Sequence, residues 1–108
     1  MIEVRFGTDR NKRVHRVSIE GHAGLSSKGT DVLCAAVSAL SYALTDGIID
    51  VLGKEARKGQ KEGEFFLQLE SDGDDRTEIV FATVLQTLKK LADQYPDRMK
   101  IRREEDGA

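Results

Sequence analysis

The sequence predicts an α+β fold: a two-layer α/β sandwich in which a four-stranded sheet carries two helices packed on one face, in the order ββαβαβ. Three observations point there. Four short segments alternate apolar and polar residues, the period of a half-buried strand. Two longer segments repeat apolar residues at spacings of three and four. Each helix so defined has a single apolar face, which one shared sheet would cover. The 108 residues suit one domain, here 1–103, with 104–108 as a frayed tail.

In chain order, Ile2, Val4 and Phe6 alternate with Glu3 and Arg5. After a turn-rich stretch from Gly7 to Lys12, Val17 and Ile19 resume the alternation, with His15 placed on the face of Val17 as a surface or core-edge residue. Ala23 to Thr30 reads as a loop, bracketed by Gly24 and Gly29. A long helix comes next, capped by Thr30 or Asp31, with Leu33, Val37, Leu40, Leu44, Ile48 and Val51 on one face and Gly53 as its stop. Asp46-Gly47 interrupts it and predicts a kink or a shorter helix there. Lys54 to Glu64 reads as a charged connection, and Phe65, Leu67 and Leu69 as the third strand. Asp75 with Glu78 fits a capping box for a second helix, lined by Val80, Val84, Leu88, Leu91 and Tyr95 and closed by Pro96. Met99 and Ile101 mark a last short strand.

Composition narrows the function. Hydrophobic residues are 39% and charged residues 33%, in clear periodic segments, so the chain is a compact globule rather than a disordered one. The net charge of -2 gives none of the basic excess of a dedicated nucleic-acid binder, and direct nucleic-acid binding is not expected. Cys34 is the single cysteine, which excludes an intrachain disulfide and a multi-cysteine metal site and suits a reducing compartment. The N-terminus has no basic start and apolar run of a signal peptide. The uncharged stretch Val32–Thr45 is shorter than the ~18 residues of a membrane span. These features together predict a cytoplasmic protein with no membrane partner.

The candidate chemistry lies at His22 and Cys34. A cysteine near a helix start is favoured as a thiolate by unpaired amides and the helix dipole, and a histidine within reach can take its proton, which makes a nucleophile for acyl transfer. On spacing alone the plainer reading, a small core residue, carries more weight. Asp31 opposes a thiolate by charge repulsion unless it is occupied in capping or in orienting His22. Cys34, Ser38, Ser41 and Thr45 form a stripe that is either the floor of a substrate groove or a surface for close packing. The segment from Gly24 to Thr30 resembles a phosphate-binding loop, with its lysine on the wrong side of the last glycine. One cysteine and two histidines make no zinc site, and Asp72, Asp74 and Asp75 make no calcium loop; no metal or cofactor is expected.

Gly21-His22-Ala23-Gly24, then Gly29-Thr30-Asp31-Val32-Leu33-Cys34-Ala35-Ala36-Val37-Ser38-Ala39-Leu40, closely resembles the ribosomal-processing cysteine protease family known as Prp or YsxB-like. The element order agrees along nearly the whole chain. The resemblance implies a homodimeric cysteine endopeptidase that removes the N-terminal extension of a large-subunit ribosomal protein. It implies Cys34 as nucleophile and His22 as general base, Asp31 and Ser38 as supporting residues, and Gly24 and Gly29 in a loop that opens for substrate. It also implies an apolar recess near Cys34. The exposed-face candidates Ala35, Ala39, Tyr42 and Ala43 offer a surface for the dimer. The competing expectation is a non-catalytic, ribosome-associated binding module with Cys34 in its core; a third is an anion-binding domain using the glycine-bracketed loop.

Overall fold

The computed structural model of the chain describes the backbone of residues 1–21 and 28–104, with every side chain among them outside 28–31. Strands β1 (Ile2–Thr8) and β2 (Val14–Glu20) form an antiparallel hairpin, and β4 (Glu64–Leu69) pairs antiparallel with the far side of β2. Strand β3 (Ala56–Lys61) adds antiparallel to β4, and β5 (Met99–Arg103) adds parallel to β1. The sheet therefore has five strands in the order β3-β4-β2-β1-β5. Helices α1 (Lys28–Thr45) and α2 (Asp75–Gln94) share one core with it. In-facing Val4, Val17, Leu67 and Met99 meet Leu33, Leu44, Phe81 and Leu88 there.

The α+β character and the two helices agree with expectation; the four-stranded sheet does not. The fifth strand is β3, and the element order is ββαββαβ. It was hidden because it is an edge strand of sequence Ala-Arg-Lys-Gly-Gln-Lys, of which only Ala56 packs on the core. Backbone pairing with β4 holds it, and charged edge residues discourage further pairing between copies. Gly59 gives room for Phe66: a Cβ there would lie 2.4 Å from the ring.

A second difference concerns β2. Gly7 pairs with Arg16 and Thr8 with Val14, so His15 is an extra residue in a β-bulge. The bulge lets both Val14 and Val17 face the core and puts His15 beside the outer side of Gly7, away from Val17's face. Asp9 organises the adjoining turn. Its Oδ1 accepts from the amides of Asn11 (2.8 Å) and Arg13 (3.1 Å), and its Oδ2 from Gly73 (3.0 Å). Burial pushes the Asp9 carboxyl up, but the amides of Gly73, Arg13 and Asn11 outweigh it and hold it below its ordinary value.

Helix α1 buries Leu33, Val37, Leu44 and Ile48 as expected, with Leu40 at the margin. Asp46–Val51 continues it as a π-helical turn, so the Asp46-Gly47 interruption changes the pitch without ending the helix. The wider turn rotates Val51 off the apolar face, and it is 80% exposed rather than buried. Gly47 permits close helix packing, since a Cβ there would sit 2.9 Å from Val80 Cγ1. Gly53 ends the run with a φ of 67°. With the π turn included, Val32–Val51 is long and apolar enough by length and composition to cross a bilayer, which the uncharged run alone was not. Its core-facing residues are buried against the sheet instead.

Helix α2 is capped one residue earlier than expected. Asp74, not Asp75, accepts from the amides of Arg76 and Thr77 (both 2.9 Å), and the Thr77 hydroxyl accepts from the Asp74 amide at 2.8 Å. Glu78 is thereby released and accepts from the Val14 amide at 2.9 Å, tying the helix to β2. The buried stripe runs through Thr77, Phe81, Val84, Leu85, Leu88 and Ala92, with Val80, Leu91 and Tyr95 at its margins. At the other end of the chain Glu104 is held rather than frayed. Its amide donates to Phe6 (2.8 Å), and its carboxylate pairs with Arg16. Residues 105–108 lie outside the described residues.

Lys54 Nζ lies 2.6 Å from Asp74 Oδ2, and this bond, with the Thr77 and Arg76 amides, holds the Asp74 carboxyl at about 2. A depressed carboxyl stabilises the fold above its unfolded value and loses that contribution as pH falls through the folded one. In thermal melts, Asp74→Asn is therefore less stable than the wild type at neutral pH, and the gap closes between about pH 4 and about pH 2. A gap independent of pH would contradict this.

Candidate active site

At one end of the sheet the last residues of β2, the first of β1 and the β3–β4 turn converge beneath α1. Gly21 makes the convergence possible. Its φ is 99°, and a Cβ would stand 2.2 Å from the Met1 carbonyl oxygen, so no side chain fits. Its amide donates to the Gly63 carbonyl at 2.9 Å, which fixes the exit of β2 to the tip of the β3–β4 hairpin.

The resulting cleft has a volume of about 480 Å³. Its floor is apolar, made of Ile2, Ile19, Val37 and Phe65, and its rim carries Tyr42, Gln60, Lys61, Glu62 and Glu64. Lys61 and Glu64 pair at 3.0 Å across the hairpin. Cys34 lines the cleft as a half-buried free thiol packed on the edge of the core, and Ser38, one turn further on, lines it too. The recess beside Cys34 is therefore mixed rather than apolar as implied: nearly buried apolar residues lie beneath it, and polar groups make up most of its open lining. A thiol stands on its wall.

The small-residue stripe divides. Cys34, Ser38 and Ser41 line the cleft, while Thr45 does not. Ser41 is buried, and its Oγ donates to the Val37 carbonyl at 2.9 Å; Thr45 Oγ1 donates to Ser41 at 3.1 Å. Those donors are committed to their own helix, whereas Ser38 is exposed.

Helix α1 begins at Lys28, so Thr30 and Asp31 stand inside its first turn rather than capping it. Cys34 is the seventh residue of the helix, in the second turn and not the first. Its amide is committed to an intrahelical bond, and the unpaired amides belong to residues 28–31, about one turn away from the thiol. The unpaired amides expected to favour a thiolate therefore lie further from the sulfur than a cap at Thr30 or Asp31 implied. His22 and Gly24 lie outside the described residues, as does the side chain of Asp31; Gly29 is the second residue of α1. The residue before His22 is placed: Gly21 lines the same cleft as Cys34. Among the described residues no group of three or more His, Cys, Asp and Glu is close enough to hold a metal ion.

The cleft residues missed by sequence reasoning are Gln60 to Glu64, assigned there to a connection. Glu62-Gly63 between Lys61 and Glu64 was the available signal, a two-residue hairpin turn with Gly63 at a φ of 78°.

Comparison with known proteins bears on the same region. The family profile described as cysteine protease Prp matches residues 1–100. The ribosomal processing cysteine protease Prp of Staphylococcus aureus (strain Mu50) is 22% identical over 103 residues, covering 94% of this chain and 97% of that protein. The crystal structure of the S. aureus Prp with a covalently linked product peptide superposes with a TM-score of 0.85 at 22% identity, covering 96% of this chain and 100% of that one. SMU.848 from Streptococcus mutans superposes with the same TM-score at 25% identity, covering 95% and 93%.

Two glycines with positive φ provide a test of the convergence. Gly53→Ala meets nothing within 4 Å and should cost about 1 kcal/mol for its backbone conformation alone. Gly21→Ala adds the collision with Met1 and should cost clearly more in chemical denaturation. Equal losses would show that the strand ends yield easily.

Proposed function

The chain belongs to the cysteine protease Prp family, and on that premise we propose that it is an endopeptidase with Cys34 as nucleophile and His22 as general base. The observation that carries the reading is the shared cleft. Cys34 stands on its wall, and the chain enters His22 directly from Gly21, which lines the same cleft. His22 takes the thiol proton as the sulfur attacks the scissile carbonyl carbon, and returns it to the leaving amine when the peptide bond breaks. Water, deprotonated by the same imidazole, then hydrolyses the thioester and regenerates the thiol.

Negative charge develops on the carbonyl oxygen, and the first-turn amides of α1 are its nearest helical donors. Ser38 offers a further hydroxyl in the cleft, and Asp31 is assigned to orienting His22. Gly24 and Gly29 belong to the segment between base and nucleophile that meets the substrate. Ile2, Ile19, Val37 and Phe65 favour an apolar side chain beside the scissile bond.

The substrate we propose is the N-terminal extension of a large-subunit ribosomal protein, in keeping with the ribosomal processing role of its relatives. The single free cysteine suits reducing surroundings, in keeping with a cytoplasmic enzyme. We also assign a homodimer to the exposed side of α1, where Val32, Ala35, Ala39, Tyr42 and Ala43 form an apolar surface and Tyr42 is 57% exposed.

Incubation with a peptide spanning the extension junction of its own host's ribosomal protein, read by mass spectrometry, tests the activity. A single cut is expected. Cys34→Ala should lower its rate by about a thousandfold or more at unchanged Tm, and His22→Ala by about a hundredfold or more. An undiminished rate in folded Cys34→Ala would sink the proposal.

A further inference from the structure

Strand β3 is the edge of the sheet nearest the cleft, and the register shows which of its backbone groups have no strand partner among the described residues. Antiparallel strands alternate between residues whose N–H and C=O point to one neighbour and residues whose groups point to the other. On β4 the Glu70 amide donates to the Glu55 carbonyl at 3.1 Å, while Gly63 accepts from Gly21 of the β2 side. Even-numbered β4 residues thus serve β3, odd-numbered ones serve β2, and the two-residue turn at Glu62-Gly63 makes Lys61 and Glu64 a hydrogen-bonded pair. It follows that Arg57, Gly59 and Lys61 turn their backbone groups inward to β4. Ala56, Lys58 and Gln60 turn theirs outward, where the sheet ends.

The side chains of the outward set stand on the helix side, because their partners Leu69, Leu67 and Phe65 are core residues. Gln60 therefore has two relations at once: its side chain lines the cleft that holds Cys34, and its N–H and C=O face away from the sheet at the cleft's margin. An extended peptide with one residue in the cleft has this edge alongside it.

We infer that the substrate is held as an added, sixth strand on the free edge of β3, by main-chain hydrogen bonds to Gln60 and Lys58. This rests on the proteolytic reading above and extends it to how the peptide is gripped. The two anchor residues are about 6.8 Å apart along β3, so the contacted substrate residues alternate. Recognition by backbone fixes the peptide in extended form and sets the register of the scissile bond, leaving sequence preference to the apolar floor. Charged Arg57, Lys58 and Lys61 keep the same edge from pairing with copies of itself.

The test uses the junction peptide and the full chain. A series of peptides, each N-methylated at one backbone amide, is compared for KM and kcat. Beside it Gln60→Pro removes an outward N–H while leaving the β3–β4 ladder intact. Alternating sensitivity is expected, with KM raised about fivefold or more at every second residue and by Gln60→Pro, while native Cys34 reacts with iodoacetamide at the wild-type rate. Methylation without alternation, or losses only at the scissile residue, would overturn the added strand and leave the protease reading standing. If Gln60→Pro fails to fold, the methyl series on wild-type enzyme decides alone. No cleavage of the unmodified peptide by wild type would refute the protease reading and this inference with it.

Discussion

The contact of one side of α1 with one face of the sheet governs the rest of the molecule. Leu33, Val37, Leu44 and Ile48 bury almost completely against the in-facing residues of β1, β2 and β4, each contributing about 1.5–3 kcal/mol. That burial sets the rotation of the helix about its own axis. With the rotation set, Cys34 has one position available, at the margin of the apolar stripe and facing the end of the sheet where Gly21 and Gly63 meet. Ser38 stands one turn on, and Tyr42 with the exposed alanines is turned outward.

The second constraint is crowding at that end of the sheet. The start of β1, the end of β2 and a hairpin turn meet where a single Cβ on Gly21 would collide with Met1. The crowding brings the approach to His22 and the wall bearing Cys34 to one cleft, although twelve positions separate the two residues in the chain. Backbone of the strand ends borders the cleft on one side, and a helix packed on the core borders it on the other.

Much of this was legible in the sequence, and the exceptions have physical reasons. Strands and helices with one buried face announced themselves, because burial imposes a period. Strand β3 did not, because an edge strand held by backbone bonds and one alanine needs no apolar period. The cap of α2 moved from Asp75 to Asp74 since either aspartate satisfies the pattern, and the choice fell to whichever let Glu78 reach Val14 and Lys54 reach Asp74. Val51 and His15 were misplaced by a π turn and a bulge, each of which adds a residue to a regular repeat and changes which face the neighbouring residues occupy. The start of α1 at Lys28 came three or four residues earlier than a cap at Thr30 or Asp31 suggested, which moved Cys34 from the first turn to the second. The motif around His22 and Cys34 supplied the candidate residues, of which Cys34 is placed on the cleft wall, whereas the hairpin side of the cleft was signalled only by the Glu62-Gly63 turn and became plain in the tertiary arrangement.

The central claim is that the Cys34 thiol is a nucleophile activated by His22. The most direct measurement is the rate at which native Cys34 reacts with iodoacetamide at neutral pH, in the wild type and in His22→Ala, against a free thiol such as glutathione. A wild-type rate well above the free thiol, falling to it or below in His22→Ala, is the predicted result. A wild-type thiol no faster than glutathione and indifferent to the loss of His22 would contradict the account.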